Sequence, residues 1–475
     1  MKSNNLRFHI LATILALSLA GCSLSPKYTT PTTNLPDSAK AIETAKKFEI
    51  PQKWWEDFGD IRLNAFVEEA LQNNYDLLVA MERVEQARAS WSYARSDRYP
   101  ALNAEGSGTK NRKNVELGKL ENYNNFSLSA ILSYELDLWG RARDMDRSAR
   151  AKLLASKANA DVVRLSLISS IAQSYFGILT LNNQADIAKR TLKARVENYE
   201  YRKKEFESGK ISEIDMQQAR AEMESVRAQM QSILMERNSA QSAFSILLGR
   251  DGAGVFKNEI PQNVESLPPM PEISAGLPSV ILEQRPDIEA AEQNLKAANF
   301  SIGVARSAYF PTISLTGLFG YASPQLNELI STSNSTWNFG GNFVGNLLDF
   351  GRTSANVDLS KSQYREMLLA YGQTLRSAFG EVRNALFNYE NTSVRVNSLD
   401  AQVMALRRTL VLATLRYEEG YTNYLEVLNA QSSLFSAELT QQSARLEALS
   451  SAISIYKAFG GGWKKEKFRE ENGVR

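Results

Sequence analysis

The sequence has almost no histidine and almost no cysteine. Its only histidine, His9, and its only cysteine, Cys22, both lie within the first 22 of its 475 residues. Once an N-terminal segment is removed, no imidazole remains for Ser-His or Cys-His catalysis, for metal ligation or for paired-cysteine redox chemistry. An enzyme that uses carboxylates alone, such as an acid-only glycosidase, would explain neither the repeat nor the helix lengths described below. We expect no catalytic site, no metal site and no cofactor.

The sequence also lacks an excess of charge of either sign. Lys and Arg total 55 against 53 Asp and Glu, and Lys2 and Arg7 in the N-terminal segment account for the difference. A chain with equal numbers of basic and acidic residues lacks the excess of positive charge that is typical of proteins that bind nucleic acid. We therefore expect no nucleic-acid partner.

The N-terminal segment has the order of a bacterial secretory signal. Two basic residues precede an apolar run at 8–20, which is too short to cross a bilayer as a stable helix. Residues 19–22 read LAGC and resemble a lipobox, where cleavage leaves Cys22 as an acylated first residue. In an ordinary signal peptide Cys22 would instead remain a free thiol. Ser23 stands where an aspartate would favour retention at the inner membrane, which implies sorting to the outer membrane.

Proline is absent from two long stretches. None occurs between residues 101 and 260, and none follows Pro324, so long helices are permitted in both stretches. Apolar residues recur with helical periodicity over 141–207, which predicts one helix roughly 100 Å long at 1.5 Å per residue. Shorter helices are predicted at 62–97 and 212–248.

The chain repeats itself at an offset of 211 residues. The stretch ESGKISEIDMQQAR at 207–220 corresponds to EEGYTNYLEVLNAQ at 418–431, each with a glycine followed six residues later by an acid. The same offset relates WGR at 139–141 to FGR at 350–352. Because the offset is kept without net insertion over roughly 175 residues, it indicates two copies of one supersecondary unit.

Between the helices of each copy, the periodicity changes to two residues, which is the period of a strand. Four strands are predicted, at about 100–108, 125–139, 311–321 and 336–350. A soluble hairpin would alternate in the same way, but the lipid anchor, the long helices and the small residues at inner positions favour membrane strands. Bacterial barrels have at least about eight strands, so the chain must oligomerise. Two chains would supply eight strands and three would supply twelve, and the pattern does not choose.

These patterns divide the chain into six segments. They are a signal peptide at 1–21, a lipid-anchored N-terminal segment and equatorial region at 22–60, a first repeat at 61–249, a proline-rich equatorial linker at 250–277, a second repeat at 278–460 and a polar tail at 461–475. Each repeat is expected to hold a helix, two strands, a long helix and a coiled-coil hairpin. Gly209 and Gly420 are the predicted tips of the two hairpins, because glycine adopts the left-handed conformation that reverses a helix.

The two hairpins differ in the polarity of their predicted seams. In the second copy, apolar or small residues recur at spacings of three and four on both sides of the tip, which predicts coiled-coil packing. They are Val403, Leu406, Leu410, Ala413 and Tyr417 before the tip, and Leu425, Leu428, Ser432, Phe435 and Leu439 after it. The corresponding positions of the first copy include Arg195 and Arg202 and are more polar. The two hairpins therefore need not be equally rigid.

Several motifs together resemble those of a known family. They are LAGC at 19–22, WWEDFGD at 54–60, DLWGR at 137–141, LDFGR at 348–352, RYEEGYTNYLEVLNAQ at 416–431 and FGGGW at 459–463. This combination is similar to the outer-membrane factors of tripartite efflux systems, in the OprM-like lipoprotein branch of the TolC superfamily. The resemblance implies an α+β membrane protein that forms a homotrimer. Each chain would give four strands to a 12-stranded outer-membrane β-barrel, and long helices to a periplasmic α-helical barrel with coiled-coil tips.

The resemblance also implies a function, which is that of a passive exit duct and not of an enzyme. The duct would carry drugs or other small toxic compounds out of a Gram-negative cell, anchored by lipid at Cys22. Its partners would be a periplasmic adaptor protein and an inner-membrane pump, usually of the resistance-nodulation-division class. A duct for protein secretion or metal export is the alternative. A structural coiled-coil lipoprotein of the periplasm would explain the helices but not the alternating segments.

The family further implies roles for residues near the tips. Glu426 matches the first acid of the rings that narrow the periplasmic mouth, and Asn429 stands where some members have a second acid. Tyr417 and Asp215 match residues that help to hold the hairpins closed. Thr422 stands where the best-known member has an arginine, which puts an ion-paired latch in question. From the residues alone, Asp215 and Glu426 are equally explained as acids that complement a helix macrodipole, an effect of about 0.3–1 kcal/mol.

Two other groups of residues are predicted to be functional. The expected contact surface for the adaptor consists of the tip residues Ser208, Gly209, Lys210, Gly420, Tyr421 and Asn423. The expected junctions between strand and helix are Gly140, Arg141, Gly351 and Arg352.

Overall fold

A computed structural model describes residues 23–31, 50–116, 119–252, 259–261, 267–268, 271 and 284–465. Cys22, most of the predicted linker and most of the polar tail lie outside the described residues. The chain divides into two compact units. The first comprises Met1–Thr33, Glu82–Lys157 and Glu289–Gln373, and the second comprises Asn34–Met81, Ala158–Ile288 and Thr374–Arg475.

Seven α-helices and four strands account for most of the described residues. The helices are α1 (Ile61–Asn73), α2 (Tyr75–Ser96), α3 (Arg141–Glu207), α4 (Glu213–Leu247), α5 (Pro286–Ser307), α6 (Arg352–Glu418) and α7 (Tyr424–Ala458). The strands are β1 (Ala101–Glu116), β2 (Lys119–Glu135), β3 (Thr312–Ser323) and β4 (Ser335–Val344). Helices α2, α3 and α4 recur as α5, α6 and α7 with both ends shifted by 211 residues, so the sequence repeat is also a repeat of structure.

The single helix predicted at 62–97 is instead two helices separated by Asn74. Asn74 has an extended backbone with ψ 124°. Its side-chain oxygen accepts a hydrogen bond from the Leu77 amide at 3.0 Å, and its side-chain nitrogen donates to the Leu247 carbonyl at 3.0 Å. An asparagine that caps the following helix competes with continuation of the preceding one, which explains the break.

The core of the second unit is aromatic. A 3-10 helix at Trp54–Phe58 places Trp54 against Tyr456, with ring centroids 5.0 Å apart in a stacked arrangement. The Tyr175 hydroxyl donates to the Asp60 carboxylate at 2.7 Å, and Asp60 also caps α1. Burial and this carboxylate raise the pKa of Tyr175 above its usual value, so the hydroxyl stays protonated and continues to donate.

Helix α3 contributes the most apolar stretch to this core. Among the described residues, it alone has an 18-residue window whose mean hydropathy, 1.4, and length would allow a membrane span. Half of that window is buried inside the chain. Ile171, Tyr175 and Phe176 within α3 are fully buried in the aromatic core, so the apolar stretch already has neighbours in its own chain.

The four strands form one antiparallel sheet in the order β1-β2-β3-β4. Leu102 pairs with Leu132, and Phe319 pairs with Trp337, so the period-two pattern gathers apolar side chains on one face. That face carries Leu102, Ala104, Leu128, Ala130, Leu132, Leu315, Phe319, Trp337, Phe339 and Phe343. The opposite face carries small polar residues, including Ser107 and Ser127, whose hydroxyl oxygens lie 2.8 Å apart.

Four strand bounds differ by four or more residues from those predicted by alternation. One of them is the end of the second strand, which lies at Glu135 instead of near residue 139. The first strand continues to Glu116 and the second begins at Lys119, because a hairpin ladder is held by backbone hydrogen bonds whatever the side-chain pattern. The fourth strand ends at Val344 instead of near residue 350. Val344 pairs with Thr312, which follows Pro311, and proline has no N–H with which to extend the ladder.

Candidate functional site

Both hairpin tips are built on the same backbone turn. Gly209 has φ +74° and Gly420 has φ +78°, the left-handed conformation that glycine adopts without steric cost. At the first tip, the Lys210 amide reaches back to the Glu205 carbonyl at 2.9 Å, and the equivalent bond of the second tip measures 2.8 Å. These bonds satisfy carbonyls at the end of each long helix, so each tip is a compact, hydrogen-bonded reversal.

A polar side chain caps each returning helix. Ser212 precedes α4, and its hydroxyl oxygen accepts a hydrogen bond from the Asp215 amide at 3.4 Å. Asn423 precedes α7 and accepts from the Glu426 amide at 3.3 Å. The two predicted acids therefore occupy the same position of the first helical turn, where a negative charge complements the helix macrodipole.

The carboxylates of these two acids have different partners. The Asp215 carboxylate turns back onto Ser212, accepting from its hydroxyl at 2.7 Å and from its amide at 3.3 Å, which completes a capping box. The Glu426 carboxylate instead accepts from the Arg416 guanidinium at 3.0 Å and from the Thr422 hydroxyl. Glu426 is thus bound to the preceding helix of its own hairpin.

The ion pair of Glu426 is exposed. The side chains of Arg416 and Glu426 retain 56% and 41% of their accessible surface, so the pair contributes at most about 1 kcal/mol. The Thr422 hydroxyl also donates a hydrogen bond to Glu426. Thr422 stands where the best-known family member has an arginine, so at this position an uncharged donor replaces a charged one. Asn429 lies three residues beyond Glu426 on α7 and is exposed.

Tyr417 is held by a buried arginine of the first hairpin. The Arg202 guanidinium donates to the Tyr417 hydroxyl oxygen at 2.6 Å and to the Glu205 carboxylate at 2.8 Å. It also lies 4.9 Å from the ring centre of Tyr417 and 4.1 Å from that of Tyr424. Arg202 is only 5% exposed, so these contacts replace water almost completely around the charge.

A second buried arginine lies two helical turns away. Arg195 is 3% exposed and donates to Gln431 and to the Ser432 hydroxyl at 3.2 Å, with the Glu222 carboxylate 3.5 Å away. Burial lowers the pKa of Arg195, and the Glu222 charge opposes that shift. Ser432 in turn donates to Glu222 at 2.8 Å. Arg195 and Arg202 therefore form a polar seam between the two hairpins.

The sequence pattern did not identify this seam as a site. The two arginines are seven residues apart, a spacing that puts them on one face of a helix. This spacing is the sequence feature from which the seam could have been predicted. The apolar packing of the second hairpin also differs from the predicted seam. Leu425 is 47% exposed, whereas Tyr424 and Val427 are buried, because the helix begins only at Tyr424 and its inward face is set by the turn.

The two junctions between strand and helix also repeat. Gly140 has φ +77° and Gly351 has φ +88°. The Arg141 guanidinium donates twice to the Glu135 carboxylate, at 2.9 and 2.8 Å, which ties the start of α3 to the end of β2. At the second junction, the Arg352 amide donates to the Asp349 carbonyl at 3.1 Å.

The predicted lipidation site, Cys22, lies outside the described residues, but the chain that follows it is docked. The Ser23 hydroxyl contacts both carboxylate oxygens of Asp144, at 2.8 and 2.9 Å. The Asn299 side chain donates to the Pro26 carbonyl at 2.8 Å. Segment 23–31 is therefore held against α3 and α5 of its own unit.

Comparison with known proteins identifies the family. The profile described as outer membrane efflux protein matches residues 66–250 and 277–461, two ranges that differ by the same 211 residues. This chain belongs to the outer membrane efflux protein family. Among curated proteins, the cation efflux system protein CusC of Escherichia coli O6:H1 is 34% identical over 463 residues, covering 96% of this chain and 99% of the relative. Outer membrane protein OprJ of Pseudomonas aeruginosa is 32% identical over 463 residues, covering 96% of each.

Solved structures of the outer membrane efflux protein family are similar over nearly the whole chain. The Campylobacter jejuni CmeC outer membrane channel has a TM-score of 0.87 at 31% identity and covers 94% of this chain and 96% of its own. The open state of the Neisseria gonorrhoeae MtrE outer membrane channel has a TM-score of 0.83 at 30% identity, with coverages of 93% and 99%. The predicted family and the predicted α+β fold with a tandem repeat are confirmed.

Proposed function

We propose that this chain, as a homotrimer, forms the outer-membrane exit duct of a tripartite efflux pump and passively conducts small toxic compounds to the exterior. The observation that carries the proposal is the sheet. One of its faces is apolar and solvent-exposed in the single chain: Leu102 is 71% exposed and Trp337 is 68% exposed. The outer strands β1 and β4 each have one unpaired edge. Lipid would cover the apolar face, and neighbouring copies would pair the edges.

A trimer is the assembly that these strands favour. Three copies of a four-stranded sheet supply twelve strands, within the range of bacterial barrels, whereas two copies supply eight, a number at which side chains fill the interior. The small polar face of the sheet would line that lumen. We propose that Cys22 carries the lipid anchor that holds the duct in the outer membrane.

The gate is proposed at the second hairpin tip. In a trimer, Glu426 and Asn429 would face the axis of the periplasmic mouth, where three carboxylates attract cations and repel one another. Tyr417, held by Arg202, would keep the second hairpin closed against the first. Thr422 would orient the Glu426 carboxylate, and Asp215 would fix the cap of the first tip.

Partner proteins would open this gate. The residues proposed to contact the adaptor are all exposed in the single chain: Ser208, Gly209, Lys210, Gly420, Tyr421 and Asn423. An inner-membrane pump of the resistance-nodulation-division class would complete the assembly. Crosslinking from cysteines at Lys210 and Tyr421, with a cysteine at the exposed Lys152 of α3 as the control, tests this surface.

Export of metal cations is the second candidate function. The observation that favours it is the 34% identity to a cation efflux protein, CusC. A toluene efflux pump outer membrane protein, TtgC of Pseudomonas putida, is 32% identical, so overall similarity does not separate the two cargo classes. Deletion of the gene, followed by accumulation assays with a dye, toluene and a copper salt, distinguishes them. Restoration of dye and toluene efflux by the wild-type gene supports the drug duct, and restoration for copper alone supports metal export.

Planar-bilayer recordings test the duct and its gate together. The wild-type trimer is expected to show low conductance. The double variant Glu426→Ala, Tyr417→Ala is expected to show higher conductance, because it removes the carboxylates of the mouth and the contact of Tyr417 with Arg202. Glu418→Ala, which removes an exposed acid at the end of α6, is the control and should resemble the wild type. Equal conductance of the wild type and the double variant would contradict the gate, and absence of any channel would contradict the duct.

A further inference from the structure

The β1–β2 hairpin extends beyond the rest of the sheet. Strand β2 pairs with β3 only as far as Phe126, opposite Ser323. Strand β1 remains paired with β2 in unbroken register well past that point, as far as Asn114 opposite Leu120, and one more pair, Glu116 with Lys119, follows a register shift. Residues 109–114 and 120–125 therefore form a two-stranded ribbon, and no third strand within the described part of the chain pairs with it.

The ribbon continues the two faces of the sheet. Side chains alternate along a strand, so Lys110 and Arg112 lie on the same face of β1 as the apolar Leu102. Their cross-strand neighbours are the neutral residues Asn124 and Asn122. On the opposite face of the ribbon, Lys113 stands across from Glu121, which balances its charge. Two positive charges thus stand on the apolar side, while the other side is neutral.

The apolar face ends just below these charges. The last row of its continuous apolar part is Gly108 opposite Phe126, where the aromatic ring covers the glycine. Beyond the two charges this face carries one more apolar side chain, Leu120, which is exposed. At about 3.3 Å per residue, Lys110 lies about 7 Å beyond that row and Arg112 about 13 Å beyond it. The aromatic side chains of Tyr321 and Phe126 occupy the last two rows of the same face, and aromatic residues of membrane barrels lie at the headgroup level.

We infer that Lys110 and Arg112 bind the phosphate groups of anionic lipids in the outer leaflet, on the lipid-facing side of the hairpin. The inference rests on the proposed function, because it needs the apolar face to lie in a membrane. Both basic side chains are exposed in the single chain. Within the stretch of unbroken register, residues 109–114 and 120–125, no acid shares their face. Arginine offers a planar fork that matches phosphate, and lysine offers a point charge.

Lipid titration of the full-length trimer, read by native mass spectrometry, tests this inference. Phosphatidylglycerol is the anionic probe and phosphatidylcholine is the zwitterionic reference. Arg112→Gln and Lys110→Gln are each expected to weaken phosphatidylglycerol binding about fivefold, the effect of one basic charge near an anionic surface. Lys113→Gln is the matched control, since it removes the same charge one residue away on the opposite face. It should bind phosphatidylglycerol like the wild type, and phosphatidylcholine binding should be unchanged throughout.

Three outcomes would overturn the inference. Equal losses for Arg112→Gln and Lys113→Gln would mean that only net charge matters. Unchanged binding in Arg112→Gln and Lys110→Gln would mean that the site is elsewhere. Displacement of the lipid by an equal concentration of inorganic phosphate would identify a site for free anions. If the variants conduct like the wild type in planar bilayers, any of these outcomes leaves the proposed duct standing, whereas failure of the duct appears separately as absence of conductance.

Discussion

Asp215 and Glu426 occupy the same place in two copies of one hairpin, yet their carboxylates bind different groups. Asp215 folds back onto the cap of its own helix, at 2.7 Å from the Ser212 hydroxyl. Glu426 reaches across its hairpin to Arg416, at 3.0 Å. The glycine turns beneath them have nearly the same φ, +74° and +78°. The two copies therefore share the backbone conformation of the tip, but the carboxylate at the equivalent position has a different hydrogen-bond partner in each copy.

The comparison extends to the packing behind the tips. The second hairpin packs through a small apolar cluster, in which Ala413, Val427 and Leu428 are buried. The first hairpin instead presents Arg195 and Arg202, and both become buried against residues of the second. A polar seam depends on directional contacts and fails when one partner is lost, whereas apolar packing is non-directional. The two copies thus share the turn, while the residues that pack behind it differ, apolar in the second hairpin and basic in the first.

The largest expected effect comes from breaking the polar seam. Arg202→Met keeps volume but leaves the Tyr417 hydroxyl and the Glu205 carboxylate without their donor. We expect a loss of about 3 kcal/mol in the local opening free energy of the tips. Hydrogen exchange measures this as more than a hundredfold loss of protection around Tyr417. Lys203→Met, at the exposed neighbouring position, should leave protection unchanged, and equal effects of the two substitutions would refute the seam.

The next effect tests whether the two turns are equivalent. Gly209→Ala and Gly420→Ala each place a side chain at positive φ, where no neighbouring atom lies within 4 Å of the new Cβ. The cost is therefore conformational strain alone, roughly 1–2 kcal/mol at each tip. Hydrogen exchange of the amides that follow each glycine should show equal losses. A difference of more than about tenfold between the tips would contradict a shared turn.

A smaller effect separates the two acids. Asp215→Ala removes the capping box and should cost about 0.5–1 kcal/mol at the start of α4. It should leave ion selectivity unchanged in planar bilayers. Glu426→Ala removes no side-chain cap and should lower cation selectivity, seen as a shift in reversal potential under a salt gradient. The comparison of the two acids fails if Asp215→Ala alters selectivity as much as Glu426→Ala.

The smallest effect on stability is expected for Arg416→Gln. The pair that it breaks is exposed, so the free energy of unfolding should change by about 0.5 kcal/mol or less. Cation selectivity should nevertheless rise at low salt, because Glu426 loses its neutralising partner, and the rise should vanish near 1 M salt. Arg408→Gln, on an exposed turn of the same helix, is the control. An unchanged reversal potential in Arg416→Gln would mean that the charge of Glu426 does not act on ions in the conducting path.

Most of the fold could be predicted because its signals are periodic and local. The long helices α3 and α6, the two glycine tips and the alternating strand segments each follow from spacing within one stretch of chain. The break at Asn74 could not be predicted in this way, since it depends on a bond to the Leu247 carbonyl, 173 residues away in sequence. The end of β4 likewise depends on Pro311 in the neighbouring strand.

The candidate site was predicted only in part. Glu426, Tyr417 and Thr422 were named from motif matches, and the structure gathers them with Arg416 and Arg202, which were not assigned to the site. The missing residues are arginines, whose sequence context is that of ordinary charged positions on a helical surface. Only packing distinguishes Arg202, which is 5% exposed, from the exposed Lys203 next to it.

The sequence by itself determined the repeat, the alternation of strands and the left-handed turns, because a glycine, a cap and a periodic apolar pattern act on the backbone within a few residues. The tertiary structure alone decided which charges are buried, which acid caps a helix and which acid forms an ion pair. These outcomes depend on the distance between groups such as Arg202 and Tyr417, 215 residues apart in the chain, and electrostatic energy depends on that distance and on the exclusion of water.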